Sequence, residues 1–578
     1  MKRLPGLEVR SDGRLYYNNR LIRKLYLDGQ ELFSQNYTLL TKNLAANLID
    51  KVQAIEHHTE NPLLRGIERS DETVLNLQVK AERKTRLMGN VAVESGTLKR
   101  GSLNGSLFSL KGRTKVGIIG SANTIGQEVA SPFPNALTGD AAFMSLAPVV
   151  KSQRLANVGL GIITPNEVER RRFLFNQAAL LGTDVNVQLF RNLKLKVEGN
   201  GWRDRQQAEA ITTTELTLPE RKIRLQDSIR QTEKPRQWNG RLRLDYTPGT
   251  RQSFRWIAEM NSQEQTQRNQ LYTANLALTE RVRLGSTLRS QSQHHELEWV
   301  HKLRSQDAFV VTTNLTSVTQ PLTADFTSQR YALFYGLNPA DYPGLHYDIH
   351  QRRNQWQASM FWKASRSKDS TSQSKTYWKV GIESHWQSDG FRSGYSGPEL
   401  PDSSWAIAGA YRQWVVVPLA EVKQQNRRWG YTFQVTLPWY QLEHTEAVRR
   451  ANLRSTRMQP NGMLGLSYQT PSLRQLFSLN LTHRVQVPGV ESIWDSFQPS
   501  SYRSFYRGLA AFRPVKTTSG LLLFRHNQLA SYQTLMGNIS YQLRSKGVIP
   551  RYTVTDLFSF SSLVPFEGSI QDWHIGGS

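Results

Sequence analysis

The sequence predicts a mainly β protein: a large antiparallel transmembrane β-barrel with a small N-terminal α+β unit. Three observations point there. Apolar and polar residues alternate with period two along most of the chain, short turns alternate with long polar connections, and aromatics recur within or at the ends of the alternating segments. Successive strand side chains point to opposite faces, so each such segment has one apolar and one polar face. A wall between lipid and a watered lumen needs that division.

Composition narrows the choice from the other side. The 578 residues include 73 Lys and Arg against 47 Asp and Glu, a formal charge of +26, and only 38% are hydrophobic. Yet 14 Trp, 21 Tyr and 22 Phe are present, an aromatic content unlike that of disordered chains. A helical membrane protein needs roughly 20 consecutive apolar residues, and no such run occurs. With no cysteine, disulfide scaffolds, Cys-zinc sites and thiolate nucleophiles drop out. The positive charge invites a nucleic-acid reading, but the basic residues are dispersed from Lys2 to Arg551 without a block or a recognised binding motif, so no nucleic-acid partner is expected.

Residues 1–82 differ in kind from the rest. Leu15–Tyr17, a turn at Asn18-Asn19 and Leu21–Leu27 ending in Asp28-Gly29 read as a small hairpin. Tyr37–Ile49 reads as a short helix leading into a strand at Lys51–Ile55, and Thr73–Lys80 as another strand.

The alternating segments follow. Val185, Val187 and Leu189 alternate with Asn186 and Gln188, and Leu193, Leu195 and Val197 with Lys194, Lys196 and Glu198. Leu242, Leu244 and Tyr246 oppose Arg241, Arg243 and Asp245, and Phe254, Trp256, Ala258 and Met260 oppose Arg255 and Glu259. Trp356–Trp362, Trp378–Trp386 and Tyr431–Leu437 repeat the pattern. Short turns are expected at Lys111–Thr114, Arg191-Asn192, Thr247–Thr250 and Arg304–Asp307, and long polar connections at Asn123–Glu169, Arg203–Gln237 and Thr316–Gln351. Trp202, Trp256, Trp362, Trp378, Trp386, Trp429 and Trp439 fall where strands would cross the membrane interfaces. About eighteen such segments fit between Leu87 and Tyr541. A propeller would show a fixed period of about 40–50 residues, and none is visible.

On these residues the chain resembles a known family. Leu4-Pro5-Gly6-Leu7-Glu8-Val9, the hairpin ending Tyr26-Leu27-Asp28-Gly29, Leu44–Ile55, Glu60-Asn61 with Leu64-Arg65-Gly66-Ile67, and the strand Val74–Val79 are similar to the plug domain of TonB-dependent outer-membrane receptors. The Bacteroidota type, in which a carboxypeptidase-like regulatory domain precedes the plug, is the nearest form. The resemblance implies a plug domain at residues 1–83 and an outer-membrane β-barrel at residues 84–578, entered at Gly89-Asn90-Val91. In the family the barrel has 22 strands, and contact with the TonB–ExbB–ExbD complex rearranges the plug to admit a small ligand, peptide or glycan. Met1–Gly6 runs straight into the plug motif, which predicts that the signal peptide, regulatory domain and TonB box lie outside this sequence. The ending Trp573–Ser578 lacks the family's terminal aromatic and predicts further strands.

Signals for catalysis are weak, and no enzyme, cofactor, metal or catalytic residue is expected. His295-Glu296 and His301 have histidines six apart on an alternating segment, where a zinc-protease helix needs four, so packing beside Leu297 and Trp299 is expected. His57-His58 beside Glu56 and Glu60 reads as a solvated turn. Phosphate-loop and nucleophile-elbow motifs are missing. The expected function is TonB-powered uptake in the cell outer membrane, with outer-membrane lipids as surroundings. The alternative is a passive surface-exposed barrel acting as a binding or scaffold protein. A basic lumen would favour anionic ligands. Ligand-binding residues are not legible in the sequence.

Overall fold

The computed structural model describes residues 7–577, apart from residues 10–13, 18–19, 35–36, 38–39, 42–43, 45–47, 57, 69–71, 81–86, 98, 110–112, 128, 130–171, 218–221, 275–278, 335–337, 339–343, 368–373, 397–405, 427, 449, 473, 488, 502, 529–532 and 556–557. An inner unit comes first. Strands β1 (Leu7–Val9), β2 (Leu15–Tyr17) and β3 (Arg20–Leu21) form a three-stranded sheet. Strands β4 (Leu25–Leu27), β5 (Gln30–Glu31), β6 (Ile49–Ile55) and β7 (Val74–Val79) form a second in the order β5-β4-β7-β6, with β4 and β7 parallel.

The expected hairpin over Leu15–Leu27 is therefore two elements. Tyr16 pairs with Leu21 across the first turn, but Leu25–Leu27 leaves that sheet and turns at Asp28-Gly29 into β5. Both turn residues have positive φ, 49° and 74°, which glycine tolerates and Asp tolerates better than most residues. Leu15, Ile22, Leu25, Leu27, Leu75 and Leu77 are fully buried, so one core joins the two sheets. Strand β7 is covered on both faces, and buried Asn76 is satisfied by Gln53 Oε1 at 3.0 Å and by the amide of Gly29 at 2.9 Å. Of the expected helix, one turn is described, with the amides of Thr41 and Leu44 donating to Tyr37 and Leu40. Residues 42–43 and 45–47 of that helix, and Leu4-Pro5-Gly6, lie outside the described residues.

The wall follows: β8 (Met88–Ser95), β9 (Gly101–Ser109), β10 (Thr114–Asn123), β11 (Phe175–Asn176), β12 (Ala178–Phe190), β13 (Leu193–Arg203), β14 (Gln206–Thr217), β15 (Lys222–Tyr246), β16 (Gln252–Ala274), β17 (Thr279–Arg304) and β18 (Asp307–Thr327). After helix α1 (Gln329–Phe334) come β19 (Leu345–Ser367), β20 (Lys375–Ser396), β21 (Ile407–Gln425), β22 (Trp429–Thr436), β23 (Trp439–Glu446), β24 (Ala451–Met458), β25 (Asn461–Gln469) and β26 (Gln475–Gln486). Helix α2 (Val490–Ile493) and the hairpin β27 (Gln498–Ser501) and β28 (Ser504–Arg507) precede β29 (Val515–Gln528), β30 (Gln533–Val554) and β31 (Ser559–Gly577). These strands close into a barrel in which the last returns beside the first.

Four staves are interrupted, β11 with β12, β13 with β14, β22 with β23 and β24 with β25, because both halves of each pair with the same neighbouring staves. The β27–β28 hairpin belongs to a connection. Eighteen staves remain among the described residues from Met88 to Gly577, close to the about eighteen expected between Leu87 and Tyr541 and four fewer than the resemblance implies.

Three of the short turns fall between β12 and β13, β15 and β16, and β17 and β18, while residues 111–112 of the one expected between β9 and β10 lie outside the described residues. Two of the long connections are not connections. Arg203–Gln237 contains β14 and the upper part of β15, and Thr316–Gln351 contains the rest of β18, α1 and the start of β19. Most of Asn123–Glu169 lies outside the described residues.

The reason is a reversal of polarity along single strands. Near the short turns, Leu242, Leu244, Tyr246, Trp256 and Leu297 point outward while Arg243, Arg255 and Glu298 point inward. Farther along the same staves the inward positions become apolar. Ile229, Leu271, Leu284, Leu322, Phe326, Tyr347 and Phe391 are buried in one cluster with Trp494 and Phe505 of the β26–β29 connection. The outward positions there are polar, as at Arg230, Arg268 and Arg352. The upper wall is thus built like a water-soluble sheet, with its core inside.

Candidate functional site: the charged seam between inner unit and wall

The lower wall meets the inner unit through charge. Glu60, immediately before the Asn61 cap of a short 3-10 turn at Pro62–Leu64, is the hub. Its carboxylate lies 2.5 Å from Lys24 Nζ, 2.8 Å from Arg243 Nη1 and 3.2 Å from Arg255 Nη1. Period two places Arg243 and Asp245 on the inward face of β15, and Arg255 opposite Asp245 on β16. Asp245 accepts from both arginines, at 2.7 and 2.9 Å. Asn61 Nδ2 donates to Ser253 Oγ at 2.9 Å and to Glu298 Oε1 at 3.0 Å.

Electrostatics at the hub follow from these distances. Burial alone would raise the Glu60 carboxyl, but Arg255, Lys24 and Arg243 outweigh it and hold the group well below the usual carboxylate range. Burial, with Lys24 adding to it, lowers His58 below its ordinary value. His58 Nε2 lies 3.1 Å from the Tyr26 hydroxyl, whose own pKa is raised by burial first and then by Glu31. Burial also raises Glu72, 3.9 Å from Lys24.

Two further patches tie the unit down. The amide of Phe33, held at φ 53°, donates to Asp184 Oδ2 at 2.8 Å. Ser34 donates through its amide and its hydroxyl to the two oxygens of Glu198, each at 2.6 Å, while Arg241 donates to Ser34 Oγ at 2.7 Å. On the opposite side Lys363 pairs with Glu68, and Ser365 Oγ donates to the Gly66 carbonyl at 2.6 Å. Apolar contact is concentrated near β9, β10 and β12, where Phe108, Ile119 and Leu180 join the inner core.

The expected site residues can now be placed. His295 stacks on Trp256 with centroids 6.3 Å apart, and His301 lies 5.9 Å from Trp299, so both pack on the outer face as the alternation indicates. Of the expected solvated turn, His57 lies outside the described residues, whereas His58 is half-buried and Glu60 is the charge hub. The sequence shows no sign of this, because two of the three cations around Glu60, Arg243 and Arg255, lie more than 180 positions away and Lys24, just ahead of β4, lies 36 positions before it. Trp202 is also displaced from its expected place. It faces inward, donates to Gln237 Oε1 at 3.3 Å and packs on the inner core.

A basic lumen is not what the lower and middle wall presents. Inward cations there face acids: Arg353 lies 2.5 Å from Asp389, Lys423 3.0 Å from Glu421, and Arg243 and Arg255 share Asp245. The Trp residues mark levels instead. Trp356, Trp386 and Trp414 are direct register partners on three adjacent strands, with Trp439 edge-on to Trp414 at 5.8 Å. A second row runs near the short turns through Tyr246, Phe254 and Trp299, and through Trp429, Tyr468, Phe477 and Phe524. On β20, Trp378 and Trp386 are eight residues apart, about 27 Å along the strand. On strands tilted by the usual ~35–45° that length spans a height of about 20 Å, close to the roughly 25 Å apolar band between aromatic rows on the exterior of an outer-membrane barrel.

No protein-family model matches the chain, and no curated protein matches it. Among solved structures, the chain is similar to the alcaligin outer-membrane receptor FauA from Bordetella pertussis, at 12% identity and TM-score 0.38 over 100% of this chain and 91% of that one. It is also similar to a mutant ferric enterobactin receptor, PfeA, from Pseudomonas aeruginosa, at 10% identity and TM-score 0.44 over 99% and 73%. A RagAB peptide transporter structure aligns at 7% identity and TM-score 0.31 over 85% and 74%.

Proposed function

We propose that this chain is a plugged outer-membrane transporter of the TonB-dependent receptor type, with residues 1–83 as the plug and residues 84–578 as the barrel. The observation that carries the reading is the charged seam. A permanently fixed core would be joined to its wall by apolar packing. Here, beside the apolar contacts, Glu60, Glu68 and Glu198 hold the unit by ion pairs and hydrogen bonds, each costly to break singly but rehydrated once the whole unit moves, as suits a unit that must leave its place and return.

The upper wall, with its inward aromatic cluster, receives the ligand, and movement of the plug opens the lumen. Energy comes from the TonB–ExbB–ExbD complex, and the ligand is a small molecule, peptide or glycan taken up rather than transformed. The family's Bacteroidota form remains part of this reading.

Because the chain has no cysteine, a single engineered disulfide is a clean test. Asn61→Cys with Ser253→Cys ties the plug to β16. In planar bilayers urea should open the untied protein to ions, and the tied protein should open only after reduction. Equal conductance with and without the tie would sink the gating reading. Growth on single nutrients, with the gene deleted and separately with TonB absent, tests uptake. A passive surface-binding barrel predicts no growth difference in either strain.

A further inference from the structure

The outward face of β19, β20 and β21 changes abruptly above Trp356, Trp386 and Trp414. At its centre is Gly390, where an added Cβ would stand in open space, so the surface dips to bare backbone between its longer-chained neighbours. Arg352 is the direct register partner of Gly390 on β19. Arg392 is the next outward position on β20, and Arg412, the partner of Ser388, stands diagonally across on β21. Strand geometry puts the three arginine Cα atoms about 5, 7 and 8 Å from that of Gly390.

Several exterior arginines are paired with acids. Arg289 reaches Glu264 at 3.7 Å, and Arg454 reaches Glu443 at 3.0 Å. Arg352 and Arg392 are exposed and have no ion-pair partner among the described residues. Arg412 has only the distant edge of Glu443, at 3.5 Å, already shared with Arg454. Two cations beside a glycine floor lack an anion, and the third shares a distant one.

We propose that this recess binds the phosphate of an anionic lipid headgroup. Guanidinium forks match phosphate oxygens in pairs. The level selects the source: the site begins one outward position above the tryptophan row, where the hydrocarbon ends and headgroups start. The acyl chains would then run down over Trp386 and Trp414. The inference rests on the membrane-spanning reading of the barrel, not on uptake.

The test uses the full chain folded in detergent and titrated with short-chain phosphatidylglycerol, with phosphatidylcholine and with inorganic phosphate. Native mass spectrometry counts bound lipid, and tryptophan fluorescence reports occupancy. Phosphatidylglycerol should bind saturably and far more tightly than phosphatidylcholine. R352Q/R392Q/R412Q should weaken it about 100-fold, roughly fivefold per arginine, and E443Q should strengthen it. Heat-modifiable migration checks that each variant is folded, and the single variants R352Q and R392Q serve if the triple one is not. Unchanged binding in the folded variants, or inorganic phosphate binding as tightly as the lipid, overturns the site. Failure of the chain to float with vesicles would instead overturn the membrane reading beneath it.

Discussion

Two arcs of the wall carry charges on the inner face and treat them differently. From β12 to β20 the charges are buried and answered: the side chains of Arg255, Lys196 and Glu198 are 10%, 9% and 3% exposed, and each has a partner on the inner unit or a neighbouring strand. From β30 to β31, Arg544 and Asp572 pair at 2.7 Å while 45% and 49% exposed. Distance does not separate the two cases. Desolvation does, because a buried charge that loses its partner has no water to turn to. The inner unit is held to one side by contacts that are individually costly to break, and the facing arc leaves its charges to solvent.

The contrast can be broken first at its strongest point. Glu60→Gln leaves Lys24, Arg243 and Arg255 crowded together without their shared anion, and should weaken the attachment of the inner unit by about 3 kcal/mol. Amide exchange in β7 should then quicken by about 100-fold relative to wild type. No change in β7 exchange would mean the charges are solvated in the working protein.

Ser34→Ala removes two hydrogen bonds to Glu198 and Arg241 but keeps the backbone donor, and should cost about 1–2 kcal/mol by the same measurement. The acid response sharpens the comparison further. His58 is depressed in the folded state, so its contribution is complete above its unfolded value near 6.5 and is lost as pH falls through the folded one. Glu60 is depressed too, so its contribution is present above about 4.5 and is lost only in strong acid. Protease cleavage of the inner unit should therefore begin to rise below about pH 6.5, and His58→Gln should remove that first step. Glu72, raised by burial, works in the opposite sense, so Glu72→Gln should favour attachment at neutral pH. The smallest effect is expected on the facing arc. Arg544→Gln should change stability by no more than about 0.5 kcal/mol in a urea titration, and a larger change would show that β30–β31 is as desolvated as its counterpart.

Period two made the lower wall legible, and the turns at Arg191-Asn192 and Arg304–Asp307 follow from it. The upper wall was not legible for a definite reason. Along β15 the apolar residues sit at even positions from Trp238 to Tyr246, yet buried Ile229 is odd. A pattern that keeps its period but changes phase looks like the end of a strand, and so β14, upper β15 and upper β18 read as polar connection. The candidate site was hidden differently. Arg241, Arg243 and Asp245 stand out as a charged strand face, but nothing local says that Glu60 and Ser34 complete it. Such pairs belong to the tertiary structure alone.

The phase change has a consequence for vertical position. If β20 were displaced by one residue, Trp378 and Trp386 would turn toward the lumen and, in the same motion, Phe391 toward open water. Both halves of the strand then fail together, so the error is not traded between them. The row of Trp356, Trp386 and Trp414 is a waterline written into the chain: it fixes how deep the molecule floats, and with it how far its crown stands clear of the bilayer.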